Sequence, residues 1–198
     1  LDPGITIPPE LRRQYMATLG WCAKAVDSIA DRLVFREFEE DNFGLNEIFQ
    51  MNNPDILYDS AILGALVSSC DFIYISPDED GFPRLQVIDG GNATGTIDPI
   101  TNMLTEGYAV LKRDDYDKPI LEAYFTREYT EYHQKGVGVL RRDDNPAPYP
   151  LLVPIIYRPD AKRPFGHARI SRACMYLQRC RSVRESSLRT SADTYTPC

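Results

Sequence analysis

Two kinds of side chain in this 198-residue sequence have types and spacings that could support catalysis. Only His133 and His167 could serve as histidine bases for a serine or cysteine nucleophile, and no Gly-x-Ser-x-Gly elbow is present. A small hydrolase would instead need paired carboxylates, held in a cleft that raises the pKa of one of them. The candidates for such a pair lie in predicted loops: Asp114, Asp115, Asp117, Asp143 and Asp144. We interpret them as surface charges.

Three further segments have the composition of a binding site without its full pattern. Asp78–Gly81 lacks the alternating oxygen ligands of a calcium loop, so we predict a hairpin tip. Gly90–Thr96 is glycine-rich, but neither Lys-Ser/Thr nor a helix follows, so we predict a turn. The aromatic strands within Tyr124–Tyr132 could stack on bases, but their glutamates oppose a phosphate backbone. No zinc motif occurs, and we predict no enzyme activity, cofactor or metal.

The net charge of −7 is unevenly distributed along the chain. Residues 162–198 hold eight Lys and Arg against two Asp and Glu, whereas residues 1–161 hold fourteen against twenty-seven. The acidic body should repel nucleic acid, but the basic end could bind it, or pair with the body or with a neighbouring subunit. The candidates for subunit or DNA contact are Arg169, Arg172, Arg179, Arg181 and Arg184.

The elements that position these groups are organised around Asn53–Asp89. Asn53 and Pro54 predict a helix start with an asparagine cap. The helix then shows one face of mostly small residues that would let it lie close to a sheet: Leu57, Ala61, Gly64, Ala65 and Ser68. A hairpin of Phe72–Ser76 and Arg84–Ile88 should follow, with Gly81 at positive φ in the turn.

Outside this unit the chain reads as helices at both ends and strands between them. The expected helices are Glu10–Leu33, Leu45–Met51 and a basic helix from Ala168 to about Leu188. The expected strands are Val34–Phe38, Thr94–Ile97, Gly107–Lys112, Ile120–Thr126, Tyr129–Gln134, Val139–Arg141 and Leu151–Tyr157, the last at an edge or bulge because of Pro154. We predict an α+β fold, mostly an antiparallel sheet or small barrel with flanking helices, divided at 1–44, 45–166 and 167–198.

Composition limits the class of protein further. Apolar residues make up 43% of the chain, which excludes a wholly disordered protein, and no run reaches the ~20 apolar residues of a membrane span. Five cysteines without a signal peptide favour reduced thiols in a cytosolic compartment.

A series of segments, taken in order, resembles the portal proteins of siphophage-type tailed bacteriophages, which form the ring at one capsid vertex. The matching segments are Ala25–Leu33, Ile48–Asn53, the helix and hairpin with Tyr74-Ile75 and Asp80-Gly81, Asp98-Pro99, Tyr124–Thr126, Leu152–Ile156 with Phe165–Ile170, and Ser191–Tyr195. They cover nearly all of this chain but only the N-terminal, wing-region part of a portal. The resemblance therefore implies a fragment or the product of a truncated prophage gene.

The resemblance also implies a function and partners. A portal is a homo-oligomeric ring, typically a dodecamer, through which double-stranded DNA passes without sequence specificity during packaging and ejection. Its partners would be other copies of itself, the terminase large subunit, the head–tail connector, and capsid and scaffold proteins. The expected location is the virion, and the cytoplasm of the bacterial host before assembly. The family has no catalytic residues, so none is assigned here.

An alternative function stays open at this point. The chain could be a nucleic-acid-binding module that uses its basic C-terminal helix. That function predicts DNA binding that weakens steeply with salt and is lost when Arg179, Arg181 and Arg184 are replaced by alanine.

Overall fold

A computed structural model describes residues 21–170 of the chain. The helices in this range are α1 (Trp21–Ala30), α2 (Leu45–Met51) and α3 (Pro54–Ser68). The strands are β1 (Cys70–Pro77), β2 (Pro83–Ile88), β3 (Ala93–Ile97), β4 (Leu104–Arg113), β5 (Pro119–Phe125), β6 (Tyr129–Gln134), β7 (Gly138–Asp144) and β8 (Leu152–Ile156).

The strands form two antiparallel sheets. One has the order β2-β1-β8 and the other the order β3-β4-β5-β6-β7, and neither closes into a barrel. The prediction of an α+β fold is therefore confirmed. Of the two predicted arrangements, an antiparallel sheet or a small barrel, the structure has open antiparallel sheets. Pro154 lies in β8, an edge strand of the smaller sheet, as its missing N–H predicts.

The core lies between the two sheets. Phe72 and Leu152 reach it from the smaller sheet, and Leu104 and Phe125 from the larger one, all of them almost fully buried. The hydroxyl groups of Tyr74 and Tyr132 meet there at 2.7 Å, and burial raises the pKa of Tyr74 well above its ordinary value. This bond joins β1 to β6 and satisfies both buried hydroxyls, so the tyrosines can be core residues.

Helix α3 packs against β1 through the predicted face of small residues. Leu57, Ala61 and Ala65 are buried, and a Cβ atom at Gly64 would overlap the carboxyl group of Asp71 in β1. The prediction of close helix–sheet packing is confirmed. Ser68 was wrongly placed on this face, because it is exposed at the helix end and Leu66 is buried instead.

The predicted asparagine cap is wrong, and the adjacent asparagine has an important contact. Asn53 has φ 54° and no side-chain capping bond, although Pro54 does begin the helix. The side chain of Asn52 instead donates to the Pro83 carbonyl at 3.0 Å and accepts from Leu85 N at 2.9 Å. Asn52 thus occupies the open edge of β2 as a neighbouring strand would.

Several predicted boundaries also change. Residues 34–38 form no strand: without a neighbouring strand to pair with, Phe35 and Phe38 pack their rings on Phe49 at 4.4 and 5.5 Å. Helix α1 ends at Ala30 rather than residue 33, and β4 begins at Leu104, before the predicted residue 107. The predicted residues 10–20 of the first helix lie outside the described range.

Substitution Gly64→Ala tests the close packing of α3 on β1. The added methyl group has no space beside the Asp71 carboxyl group, so we expect the free energy of unfolding to fall by about 3 kcal/mol. Urea unfolding measures this change. The control Ser68→Ala, exposed on the same helix, should stay within about 0.5 kcal/mol of the parent. Equal stability of both variants would contradict the packing argument.

Candidate functional site

The carboxylates proposed for a hydrolase are not brought together by the sheet. Asp114, Asp115 and Asp117 lie in the turn between β4 and β5. Asp143 and Asp144 were predicted in a loop, which is wrong: β6 pairs with this segment, so it continues as strand β7. Because the strands alternate in direction, these two residues lie at the opposite end of the sheet, roughly 20 Å away.

The two histidines each bond to a carboxylate. His133 Nε2 lies 2.7 Å from Glu131 Oε1 on the same strand. His167 Nε2 lies 2.5 Å from Asp160 Oδ2, and its Nδ1 lies 3.3 Å from an Arg163 nitrogen. Within residues 21–170, neither ring bonds to a serine or cysteine that it could activate.

The aromatic strands divide their side chains between the two faces of the larger sheet. Phe125 and Tyr132 point into the core. On the other face the Tyr124 hydroxyl donates to Glu106 at 2.9 Å and the Tyr108 hydroxyl to Glu122 at 2.6 Å. Burial and its bond to Glu122 raise the pKa of Tyr108 to about 12. This face is acidic, which opposes a phosphate backbone.

Arg169 is the one candidate contact arginine that falls within the described residues. Its Nε donates to the Ala25 carbonyl in α1 at 2.7 Å, and its Nη1 to the Tyr157 hydroxyl at 3.2 Å. Its backbone N–H donates to the Leu66 carbonyl near the end of α3 at 2.9 Å. Arg169 therefore joins three parts of the body through its backbone and its partly buried guanidinium.

The other candidate arginines, Arg172, Arg179, Arg181 and Arg184, lie outside the described residues. So does most of the predicted basic helix. At its expected start, residue 168 is not helical and residues 169–170 form a turn.

Asp71 is a buried carboxylate that the sequence reasoning did not single out. Only 3% of it is exposed, beside Gly64 and within 2.9 Å of the Gly90 N–H group that donates to it. Burial raises the pKa of Asp71 to about 6, and the Gly90 bond opposes this shift only in part. The neighbouring Cys70 is a buried thiol, and burial raises its pKa to about 12. Such groups are inaccessible to a substrate, so we interpret them as structural.

The helical lobe, defined as residues 21–68, has an unusual surface. Four aromatic rings hold together the loop after α1, helix α2 and helix α3: Phe35, Phe38, Phe49 and Tyr58. Around them, Phe43, Val34 and Ile56 are 85%, 73% and 66% exposed. Residues 27–59 carry nine acidic side chains against two arginines, and none of the eleven forms an ion pair with another described residue. The lobe thus combines exposed apolar side chains with unpaired acids.

Strand β7 is an edge of the larger sheet that no other strand of residues 21–170 covers. It bonds to β6 on one side only, and its residues 138–142 are all exposed. Val139 and Leu140 are 55% and 50% exposed. The guanidinium of Arg142 lies 3.4 Å from the Tyr129 ring centroid, and Arg141 pairs with Asp143 at 3.0 Å. By contrast, Asn52 occupies the β2 edge and Pro154 interrupts the β8 edge.

In the part of the chain between Trp21 and Ile170, no three His, Cys, Asp or Glu side chains group as metal ligands. Over the same residues, no helix is both long and apolar enough to span a membrane.

A scan of the chain against protein-family models matched none of them, and a search of curated proteins found no match.

Substitution Arg169→Ala tests whether this residue has a structural role. It leaves the Ala25 carbonyl and the Tyr157 hydroxyl without their donor, so we expect a loss of about 2 kcal/mol in the free energy of unfolding. The exposed Arg127→Ala control should change it by less than about 0.5 kcal/mol. Weaker DNA binding with unchanged stability would instead identify Arg169 as a surface contact.

Substitution Asp71→Asn tests the buried carboxylate through its pH dependence. With a folded pKa near 6 and an ordinary value of 3.8, the stability contributed by Asp71 is present below about pH 4 and lost as pH rises through 6. The loss amounts to about 3 kcal/mol. The Asn variant stays neutral, so its stability relative to the parent should rise by up to that amount between pH 4 and pH 7.

Urea unfolding at the two pH values measures this difference. Asp115→Asn, in the exposed turn after β4, is the matched control and should show no such rise. A constant difference between Asp71→Asn and the parent at both pH values would contradict the assignment.

Proposed function

We propose that this chain is a structural subunit of a portal-type ring at a bacteriophage capsid vertex, corresponding to the wing region of such a subunit. The order of segments that resembles the family supports this proposal, as does the α+β architecture of two antiparallel sheets beside helices. In this function the chain works through its shape and its edges. The observation that carries the proposal is the uncovered edge strand β7.

An uncovered edge strand offers a row of backbone N–H and C=O groups to another chain. Natural proteins commonly protect such edges, and this chain does so at β2 through Asn52 and at β8 through Pro154. It leaves β7 open with two exposed apolar side chains, Val139 and Leu140. Strand β3, the other edge of the larger sheet, likewise pairs with no further strand within residues 21–170, so β7 and β3 are the two edges available to a second copy.

The direction of the strands makes such a contact head-to-tail. Strands β3 and β7 form the two edges of the larger sheet and run in the same direction, because every neighbouring pair between them is antiparallel. Adding β7 of one copy to β3 of the next would use two different surfaces. Contacts of that kind form rings when the rotation between neighbours closes.

The partners follow from the same proposal. The ring would contact other copies of itself, the terminase large subunit, the head–tail connector, and capsid and scaffold proteins, in the virion or in the host cytoplasm before assembly. Double-stranded DNA would pass without sequence-specific contact. The acidic residues on the outer face of the larger sheet and on the helical lobe support passage rather than capture, since they repel phosphates.

The double substitution Val139→Lys and Leu140→Lys tests the β7 edge. Both positions are half exposed, so the fold should persist, while edge lysines block strand addition. We expect the parent chain to self-associate with rising concentration, and the variant to do so about tenfold more weakly. Sedimentation velocity over a concentration series measures this.

The control is Val137→Lys, 65% exposed in the turn just before β7, combined with Tyr116→Lys, 85% exposed in the turn between β4 and β5, to match the added charge. It should associate like the parent. If the β7 variant associates as strongly as the parent, the proposed contact at the β7 edge is wrong. A parent chain that stays monomeric at every concentration would argue against the ring.

A further inference from the structure

The helical lobe has the features of a receptor surface. Phe43, Val34 and Ile56 are its most exposed apolar side chains, and they lie on two of the segments that the aromatic cluster holds together, the loop after α1 and helix α3. The backbone around them is well fixed. Asp41 accepts from Leu45 N and Asn46 N, at 2.7 Å each, and these bonds lower the pKa of Asp41. The exposed apolar groups therefore sit on ordered structure.

The charge of this surface indicates the chemistry of its partner. Residues 27–59 have nine acidic side chains and two basic ones, and the acids form no ion pairs with other described residues. A partner that covers the apolar groups must bring positive charge with it, because burying unpaired carboxylates is costly. The matching occupant is a basic segment with apolar side chains of its own.

This chain contains such a segment. Residues 171–198 carry five arginines against two acidic residues, interspersed with Tyr176, Leu177, Val183 and Leu188. The segment follows Ile170, and Arg169 just before it is held against the body by its bonds to Ala25 and Leu66. That point is near the C-terminal end of α3, whereas Ile56 lies at the N-terminal end, about 15 Å away along the helix.

We propose that the lobe surface of one copy binds the basic segment, residues 171–198, of a neighbouring copy. Donor and acceptor are different surfaces of the chain, so the contact is head-to-tail and generates the same kind of assembly as the β7 edge. This inference rests on the proposed ring, and it names a second interface within it. The acids select a basic segment and speed its encounter, and Phe43, Val34 and Ile56 supply apolar contact.

Charge reversal on either side of the contact provides the first test. The lobe variant carries Glu37→Lys, Glu39→Lys and Glu40→Lys, all at exposed positions. The segment variant carries Arg179→Glu, Arg181→Glu and Arg184→Glu. Each variant alone should self-associate at least about tenfold more weakly than the parent in sedimentation velocity. Higher salt should weaken the parent's association as well.

Mixing the two variants shows which copy supplies the segment. In an equimolar mixture the native segment of the lobe variant meets the native lobe of its partner, and the reversed segment meets the reversed lobe. Association should therefore return in the mixture. It should also return in a single chain that carries all six substitutions, because its reversed surfaces match each other.

The controls separate this contact from general charge effects. Glu79→Lys, Asp80→Lys and Asp115→Lys change the net charge by the same amount in exposed turns elsewhere, and they should associate like the parent. Phe43→Ser, at an exposed loop position, should weaken association without any change of charge. Circular dichroism of every variant establishes that the fold is retained.

The possible results distinguish the two proposals. If the six-substitution chain recovers but the mixture does not, the segment binds its own lobe and the inference is wrong. If the lobe variant associates like the parent, the inference is wrong while the β7 contact and the ring proposal stand. A parent chain that is monomeric throughout overturns both, and loss in each variant with recovery in the mixture supports the inference.

Discussion

Helix α3 lies against strand β1 so closely at Gly64 that the Asp71 carboxyl group occupies the space a Cβ atom would need. The helical lobe is attached to the smaller sheet through this contact. The Leu66 carbonyl of α3 accepts from Arg169 N, and the Ser69 carbonyl just after α3 accepts from Tyr157 N. These bonds fix the chain around residues 157 and 169, and α1 and α2 also pack against α3. A displacement of α3 would therefore move the helical lobe and the chain around residues 157 and 169 together.

Sequence patterns predicted the elements whose cause is local. Pro54 at a helix start, Gly81 at positive φ and Pro154 in an edge strand follow from backbone geometry that each residue carries with it. The spacing of small residues around Gly64 predicted close packing on a sheet for the same reason. Period-2 alternation failed at residues 34–38, because a strand needs a partner and the phenylalanines there found other rings instead.

The residues that sequence reasoning missed have partners far away in the chain. Asn52 bonds to residues 31 and 33 positions later, and Arg169 reaches back 144 positions to Ala25. In the sequence Asp71 does not differ from other acidic residues at the start of a strand. Only the fold places it against Gly64 and within hydrogen-bond distance of Gly90 N. Arg169 was grouped with the basic end by composition, yet its contacts place it with the body. The spacing of residue types along the chain does not indicate such long-range contacts, so only the folded structure could identify them.

The two proposed contacts would have different physical properties, and these properties would complement each other in a ring. Strand addition at β7 fixes direction and spacing through regularly placed backbone hydrogen bonds, so it would set the angle between neighbouring subunits. A contact made through charge and a few apolar side chains depends less on exact geometry than a ladder of backbone hydrogen bonds. Such a contact would hold neighbours together without imposing a second angle that conflicts with the first. A closed ring tolerates only one rotation per subunit, so one directional contact combined with one adaptable contact is the arrangement that closes without strain.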